Sequence, residues 1–150
     1  MSKELDILML VTRRLDRAGL PYMVTGSMAM NYYAVPRMTR DIDIVIEVAE
    51  ADVGEACVAK VDLLIRKPGE YRRVEFGRRR AVVVAGHRLF VVAPEDLILS
   101  KLDWARESRS RVQLDDVRNL LASVEDLDHG YLEVWIGRLG LEALYREVRG

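Results

Sequence analysis

The sequence predicts an α/β (α+β) protein whose first two thirds build a small sheet and whose last third is helical. Three observations carry that reading. Short apolar runs of strand length recur at 22–25, 41–48, 58–65, 81–84 and 89–92. Helical periodicity precedes them at 3–18 and dominates from Pro94 onward. Turn and stop signals (Gly19 then Pro21, Gly26-Ser27, Pro36, Gly86, Gly140) separate the segments. With 150 residues a single domain, 1–150, is expected, with a sheet-containing core over 1–93 and a helical C-terminal part over 94–150.

The first helix is read from Leu5, Leu8, Met9, Thr12 and Leu15 at helical spacing, with Arg13, Arg14, Asp16 and Arg17 mostly outside. Tyr22-Met23-Val24-Thr25 is the first strand. Gly26 can take backbone angles closed to other residues, which lets an anion approach the main chain. Ser27 then stands at the head of a helix, where unpaired N–H groups and the helix dipole favour negative charge. A strand-to-helix turn with a serine cap reads the same two residues more simply. Pro36 ends that helix, and Arg37, Thr39 and Arg40 lead into the second strand, Asp41 to Val48. The two arginines suit phosphates or solvent equally.

Alternation along a strand puts Asp41 and Asp43 on one face and Ile42, Ile44 and Ile46 on the other. Val45 interrupts the polar face, as in a strand covered on both sides with a polar opening at one end. Two like charges side by side call for a cation, and carboxylate oxygens suit magnesium. Residues 50–56, acidic and alanine-rich, are read as one or two helical turns. The third strand, 58–65, carries Asp62 among apolar neighbours, where a carboxylate is costly unless paired or metal-bound. Asp62 is therefore either an acidic site residue or an edge aspartate held by an arginine.

Between Arg66 and Arg88 eight basic residues face only Glu70 and Glu75. This local excess can steer a polyanion or form a solvated helix face. Tyr71 and Phe76 are the only aromatic residues among them before the strand run at 89–92. Ala81 to Val84 and Leu89 to Val92 read as a hairpin around Gly86-His87, which makes His87 a surface turn residue rather than a catalyst.

Pro94 suits the first position of a helix, and Glu95 and Asp96 its first turn. Ile98, Leu102 and Ala105 form its inward stripe, and Lys101 points with them. A lysine there either reaches an anion as a point charge or snorkels to solvent. A helix over 112–122 places Asp116 beside its apolar stripe, where it can orient Lys101 or another basic side chain. Asp128 caps a third helix carrying Leu132, Trp135 and Leu139, and Gly140 separates it from a last one with Leu141, Leu144, Tyr145 and Val148. Trp104 and Trp135 are read as packing residues.

The formal charge of -1 argues against a uniformly basic nucleic-acid binder. Cys57 is the only cysteine, which excludes an internal disulfide and a C-x-x-C zinc site and leaves a small buried side chain as its simplest reading. Met1-Ser2-Lys3-Glu4 opens no apolar signal region, and no apolar run approaches the ~18 residues that span a bilayer. A cytoplasmic protein with no membrane contact is the expectation.

Taken together, Gly26-Ser27, Pro36-Arg37-Met38-Thr39-Arg40 and Asp41-Ile42-Asp43-Ile44-Val45 resemble the nucleotidyltransferase superfamily related to DNA polymerase beta. The nearest likeness is its bacterial branch of AbiEii-type toxins and small relatives. Ala93-Pro94-Glu95-Asp96-Leu97 through Leu102, and Asp115-Asp116-Val117-Arg118, extend the resemblance over most of the chain. The resemblance implies a small mixed β-sheet flanked by helices, with a helical C-terminal part. It implies that Asp41, Asp43 and Asp62 are catalytic and hold Mg2+ (or Mn2+), with a nucleoside triphosphate such as ATP as substrate. Gly26, Ser27, Arg37, Thr39, Arg40, Lys101 and Asp116 are the implied nucleotide-binding residues. The implied reaction moves a nucleoside monophosphate to an acceptor hydroxyl on RNA, such as tRNA, or on protein, within a toxin–antitoxin system. An RNA acceptor would use the basic segment Arg66–Arg88, and an antitoxin would be the partner protein. Only residues 44–61 separate Asp43 from Asp62, fewer than in relatives, so the segment that supplies an acceptor surface is reduced. The alternative is a nucleotide- or RNA-binding module of the same fold that acts through a protein partner without turnover.

Overall fold

The chain, seen in a computed structural model, is described over residues 2–48 and 61–150. Its elements run α1 (Lys3–Arg17), β1 (Tyr22–Thr25), α2 (Gly26–Tyr33), β2 (Ile42–Ile46), β3 (Val61–Ile65), α3 (Glu70–Gly77), β4 (Arg80–Val84), β5 (His87–Val91), α4 (Pro94–Ser108), α5 (Arg111–Ser123), α6 (His129–Leu139) and α7 (Glu142–Arg149). The helix expected over 50–56, Cys57 and the first residues of the expected third strand lie outside the described residues. Two compact units form, one from Met1–Ala29 with Met38–Val92 and one from Met30–Arg37 with Ala93–Gly150.

The first unit holds a five-stranded mixed sheet in the order β3-β2-β1-β5-β4. β2 runs antiparallel to β1 and parallel to β3; β5 runs parallel to β1 and antiparallel to β4. The registers Tyr22↔Ile46, Val24↔Ile44, Ile42↔Val61 and Val24↔Val91 place these residues on one face. On it Tyr22, Val24, Ile42, Ile44, Val61, Leu89 and Val91 are buried. Each aliphatic side chain so removed from water contributes ~1.5–3 kcal/mol, which pins the register, because a one-residue slip would expose the whole set. The opposite face of β2 and β3 carries Asp43, half-buried, and Asp62, exposed.

Ser2 caps α1 by accepting a hydrogen bond from the Leu5 amide at 3.3 Å, and Leu8, Met9, Thr12 and Leu15 form its buried stripe. The β4–β5 hairpin turns at Ala85 and Gly86, whose φ values of 48° and 76° give the doubly left-handed turn that matches strand twist. This corrects the reading of His87 as a turn residue. His87 opens β5, and its Nε2 lies 3.1 Å from the Thr12 hydroxyl of α1. Thr12 already donates to the Leu8 carbonyl at 2.8 Å, so the His87 ring N–H is the donor in that pair.

The charge-rich stretch after Pro68 is also partly helical. In α3, Tyr71, Glu75 and Phe76 are buried at helical spacing, while Arg72 reaches Glu75 at 3.1 Å one turn along. A solvated helix face is one of the two sequence readings of this stretch, and α3 supplies a helix over Glu70–Gly77.

The second unit is helical, as expected. Pro94 opens α4, Asp128 caps α6 by accepting from the Tyr131 amide at 2.9 Å, and Gly140 ends α6 with φ 69°. Glu95 and Asp96 in α4 are buried. Glu95 accepts from the Asp128 amide at 3.0 Å, and Asp96 accepts from the Tyr131 hydroxyl. The first turn of α4 thus ties into α6 rather than facing solvent. Trp135 is buried, but Trp104 is 59% exposed, which corrects its reading as a packing residue. At 3.6 residues per turn it lies about a third of a turn from the Ile98–Leu102–Ala105 stripe. Among the described residues no helix is long and apolar enough to cross a membrane.

Candidate functional site

Asp43 is the centre of the candidate site in the first unit. Its register partners are Thr25 on β1 and Asp62 on β3. Neighbouring strands lie ~4.8 Å apart, and in-register residues of a parallel pair point to the same side, so the two aspartates stand next to each other. Both occupy the face opposite the buried isoleucines. Asp43 is half-buried and Asp62 exposed.

β1 then passes directly into α2 at Gly26, which has φ +63°. A Cβ placed on Gly26 would collide with the Asp43 carboxylate, and it would lie 3.2 Å from the Asp43 Cγ. The glycine therefore does two things. It takes the left-handed angle that joins strand to helix, and it leaves room for the carboxylate against the start of α2. Ser27 is the second residue of α2, inside its first turn rather than before it.

Asp41 stands apart. β2 begins at Ile42 instead of Asp41, so the alternation that would align Asp41 with Asp43 is not imposed by the sheet. Asp41 is exposed, and its amide donates to the Thr39 hydroxyl at 3.3 Å. Thr39 thus supports the loop before β2, and Arg40 is exposed in it. Among the described residues no group of three His, Cys, Asp or Glu side chains is gathered closely enough to hold a metal ion. The oxygen donors that do fit a hard divalent cation are Asp43 and Asp62, with Asp43 packed against the bare Cα of Gly26.

The other candidate residues meet in the second unit. Lys101 Nζ donates to Asp116 at 2.7 Å and to the Gln113 side-chain carbonyl at 3.1 Å. Arg37 grips the same carboxylate in a two-pronged contact, Nε to Oδ1 at 3.0 Å and NH2 to Oδ2 at 2.9 Å. The main chain of Arg37 is clamped as well: Asn31 accepts from its amide at 3.0 Å and donates to its carbonyl at 3.0 Å. With Lys101 buried, snorkelling is ruled out.

Burial pushes the Asp116 carboxyl up, but the hydrogen bonds from Arg37 and Lys101 outweigh it and hold it below the usual aspartate range. The same hydrogen bond raises the Arg37 guanidinium against its own burial. Gln113 and Asn31 were missed from the sequence. Gln113 was legible in principle, because it sits three residues before Asp116 on the same helix face. Asn31 gives no sequence signal.

A scan against protein-family models finds no match, and no curated protein matches either. Among solved structures, the chain is similar to an antigenic nucleotidyltransferase-like protein from Paracoccidioides brasiliensis. The TM-score is 0.57 at 16% identity, covering 81% of this chain and 76% of that one. The fold is nucleotidyltransferase-like. In this fold the strand–glycine–helix turn and the paired aspartates lie in one unit, and the Arg37–Asp116–Lys101 cluster lies in the other.

Proposed function

We propose that this chain is a metal-assisted nucleotidyltransferase that moves a nucleoside monophosphate from a nucleoside triphosphate to an acceptor hydroxyl. The observation that carries the reading is the Asp43–Asp62 register pair set against the bare Cα of Gly26. Asp43 and Asp62 would hold a Mg2+ or Mn2+ ion, which supplies phosphate charge neutralisation and a more acidic acceptor hydroxyl.

Gly26 seats the Asp43 carboxylate against the start of α2, and the first N–H groups of α2 with the Ser27 hydroxyl bind phosphate oxygens. The acceptor oxygen attacks the α-phosphorus, the bond to the bridging oxygen breaks, and pyrophosphate leaves. Asp62, the more exposed carboxylate, receives the acceptor proton. Alignment and charge stabilisation account for most of the rate. Arg37, Lys101 and Asp116 serve as an anchor that fixes the loop after α2.

A second reading, a nucleotide-binding module without turnover, draws on Asp41 standing outside the strand. Incubation of the protein with each α-labelled triphosphate, magnesium, total RNA and total protein separates the two. Transfer of label that is lost in Asp43→Asn supports the transferase. Nucleotide binding without any transfer supports the module.

A further inference from the structure

The Asp43 carboxylate lies where the head of α2 would receive a phosphate. A Cβ placed on Gly26 would meet three atoms of one side chain: Asp43 Oδ2 in collision, Cγ at 3.2 Å and Cβ at 3.3 Å. The sheet sets up this contact. β1 and β2 run antiparallel with Thr25 opposite Asp43, so the residue after Thr25 turns up beside that side chain. Gly26 makes the turn with φ +63°, and α2 starts there.

The first N–H groups of a helix have no acceptor within it, and the helix dipole adds partial positive charge at that end. A carboxylate held there gains from both, as an N-cap aspartate does. A phosphate gains from the same groups. Both are anions, and at this spacing they repel unless a cation lies between them. Space and charge therefore admit one of them at a time. Asp43 also has a second place to turn. Asp62 stands beside it in register on β3, one strand spacing of ~4.8 Å away, and two carboxylates there suit one hard divalent cation. Both places adjoin Asp43, so side-chain rotation suffices to exchange them.

We propose that Asp43 is a gate. Its carboxylate closes the head of α2 to phosphate, and a divalent cation shared with Asp62 draws it aside. The proposal rests on the transferase reading and adds the regulation of its site: the phosphate position opens to a metal-loaded chain and stays shut otherwise. Asp43 then does two jobs in sequence, first as a cap on α2 and then as a metal ligand.

The test is calorimetric titration of the full chain with inorganic tripolyphosphate, which carries no base or sugar, in chelator and again in magnesium. The wild type is expected to bind at least ~10-fold more tightly with magnesium than with chelator. Asp43→Ala is expected to raise the affinity in chelator at least ~10-fold over wild type and to gain little from magnesium. Asp62→Asn removes one charge from the same sheet face but leaves Asp43 on Gly26, so its affinity in chelator should change less than ~3-fold. Melting temperatures report folding. Where Asp43→Ala melts far below wild type, Asp43→Asn keeps the shape, loses the charge and should shift the affinity in the same direction.

Wild-type binding that is equal with and without magnesium overturns the gate. A gain in Asp62→Asn as large as that in the Asp43 variants overturns it as well, because charge alone would then explain the effect. Absence of tripolyphosphate binding by every form in both conditions also overturns it. Label transfer by the wild type alongside any of these results leaves the transferase reading in place. Metal-gated binding by a chain that transfers nothing keeps the gate and removes the transferase.

Discussion

Lys101 and Asp116 meet at 2.7 Å with side chains 4% and 5% exposed, and Arg37 closes on the same carboxylate from a position 36% exposed. One buried carboxylate therefore serves two cations. Its loss should harm the fold more than the loss of either cation. Asp116→Ala leaves two cations without their acceptor and is expected to cost ~3–5 kcal/mol. Lys101→Met keeps the aliphatic stem and leaves Asp116 in the Arg37 fork, so ~1–3 kcal/mol is expected. Urea unfolding of both variants checks the order. A Lys101→Met protein as stable as wild type, with weakened nucleotide binding, would return Lys101 to the phosphate role.

The same cluster sets an acid limb. The folded pKa of Asp116 lies below the usual 3.8, so the unfolded chain takes up the proton first as pH falls. Its contribution is complete above 3.8 and drains away as pH drops through the lower folded value. Asp116→Asn, though less stable at neutral pH, should lose less additional stability below that point. Equal acid slopes in the two proteins, followed by unfolding midpoint against pH, would remove Asp116 from the acid response.

Gly26→Ala tests the cradle. Alanine at φ +63° costs ~1–2 kcal/mol from backbone alone. Its Cβ must also displace the Asp43 carboxylate. Melting should drop modestly, while label transfer should fall much further. A proportionate loss of both would reduce Gly26 to a turn residue.

Much of this was legible locally. The turn at Gly26, the break at Pro36 and the alternation around Asp43 depend on residues a few positions apart, so pattern and turn chemistry carry them. The Arg37–Asp116 fork joins positions 79 apart, and nothing in either segment names its partner. Alternation aligns Asp41 with Asp43 only where the strand includes it, and β2 starts one residue later. The helix of α3 is one of two readings of the basic stretch, and the sequence leaves its bounds open because charged residues separate Tyr71, Val74 and Phe76.

Asp62→Asn separates metal binding from folding. In-register like charges oppose each other by ~0.2–1 kcal/mol, so without metal the variant should match or exceed wild-type stability. Adding magnesium or manganese should raise the wild-type melting temperature and hardly move that of the variant. Equal metal shifts in both would exclude Asp62 as a ligand.

Tyr22 supplies the alkaline counterpart. It is 1% exposed in the sheet core, and its hydroxyl has no hydrogen-bond partner among the described residues. Burial, and then the charge of Asp16, raise its pKa above the usual 10.0; Thr12 and the Phe90 main chain pull the other way, but neither meets hydrogen-bond geometry. A raised folded value means that the unfolded chain ionises first. The contribution of Tyr22 is therefore intact below pH 10.0 and lost as pH rises toward the folded value. Tyr22→Phe removes a stranded hydroxyl and keeps the ring, so stability at neutral pH should stay level or rise by ~1 kcal/mol. Above pH 10.0 the variant should lose stability less steeply than wild type. Unfolding free energies of both proteins across neutral and alkaline pH give the comparison. A clear loss on Tyr22→Phe at neutral pH would mean that Thr12 holds the hydroxyl after all, and that α1 is fastened to β1 by a buried hydrogen bond.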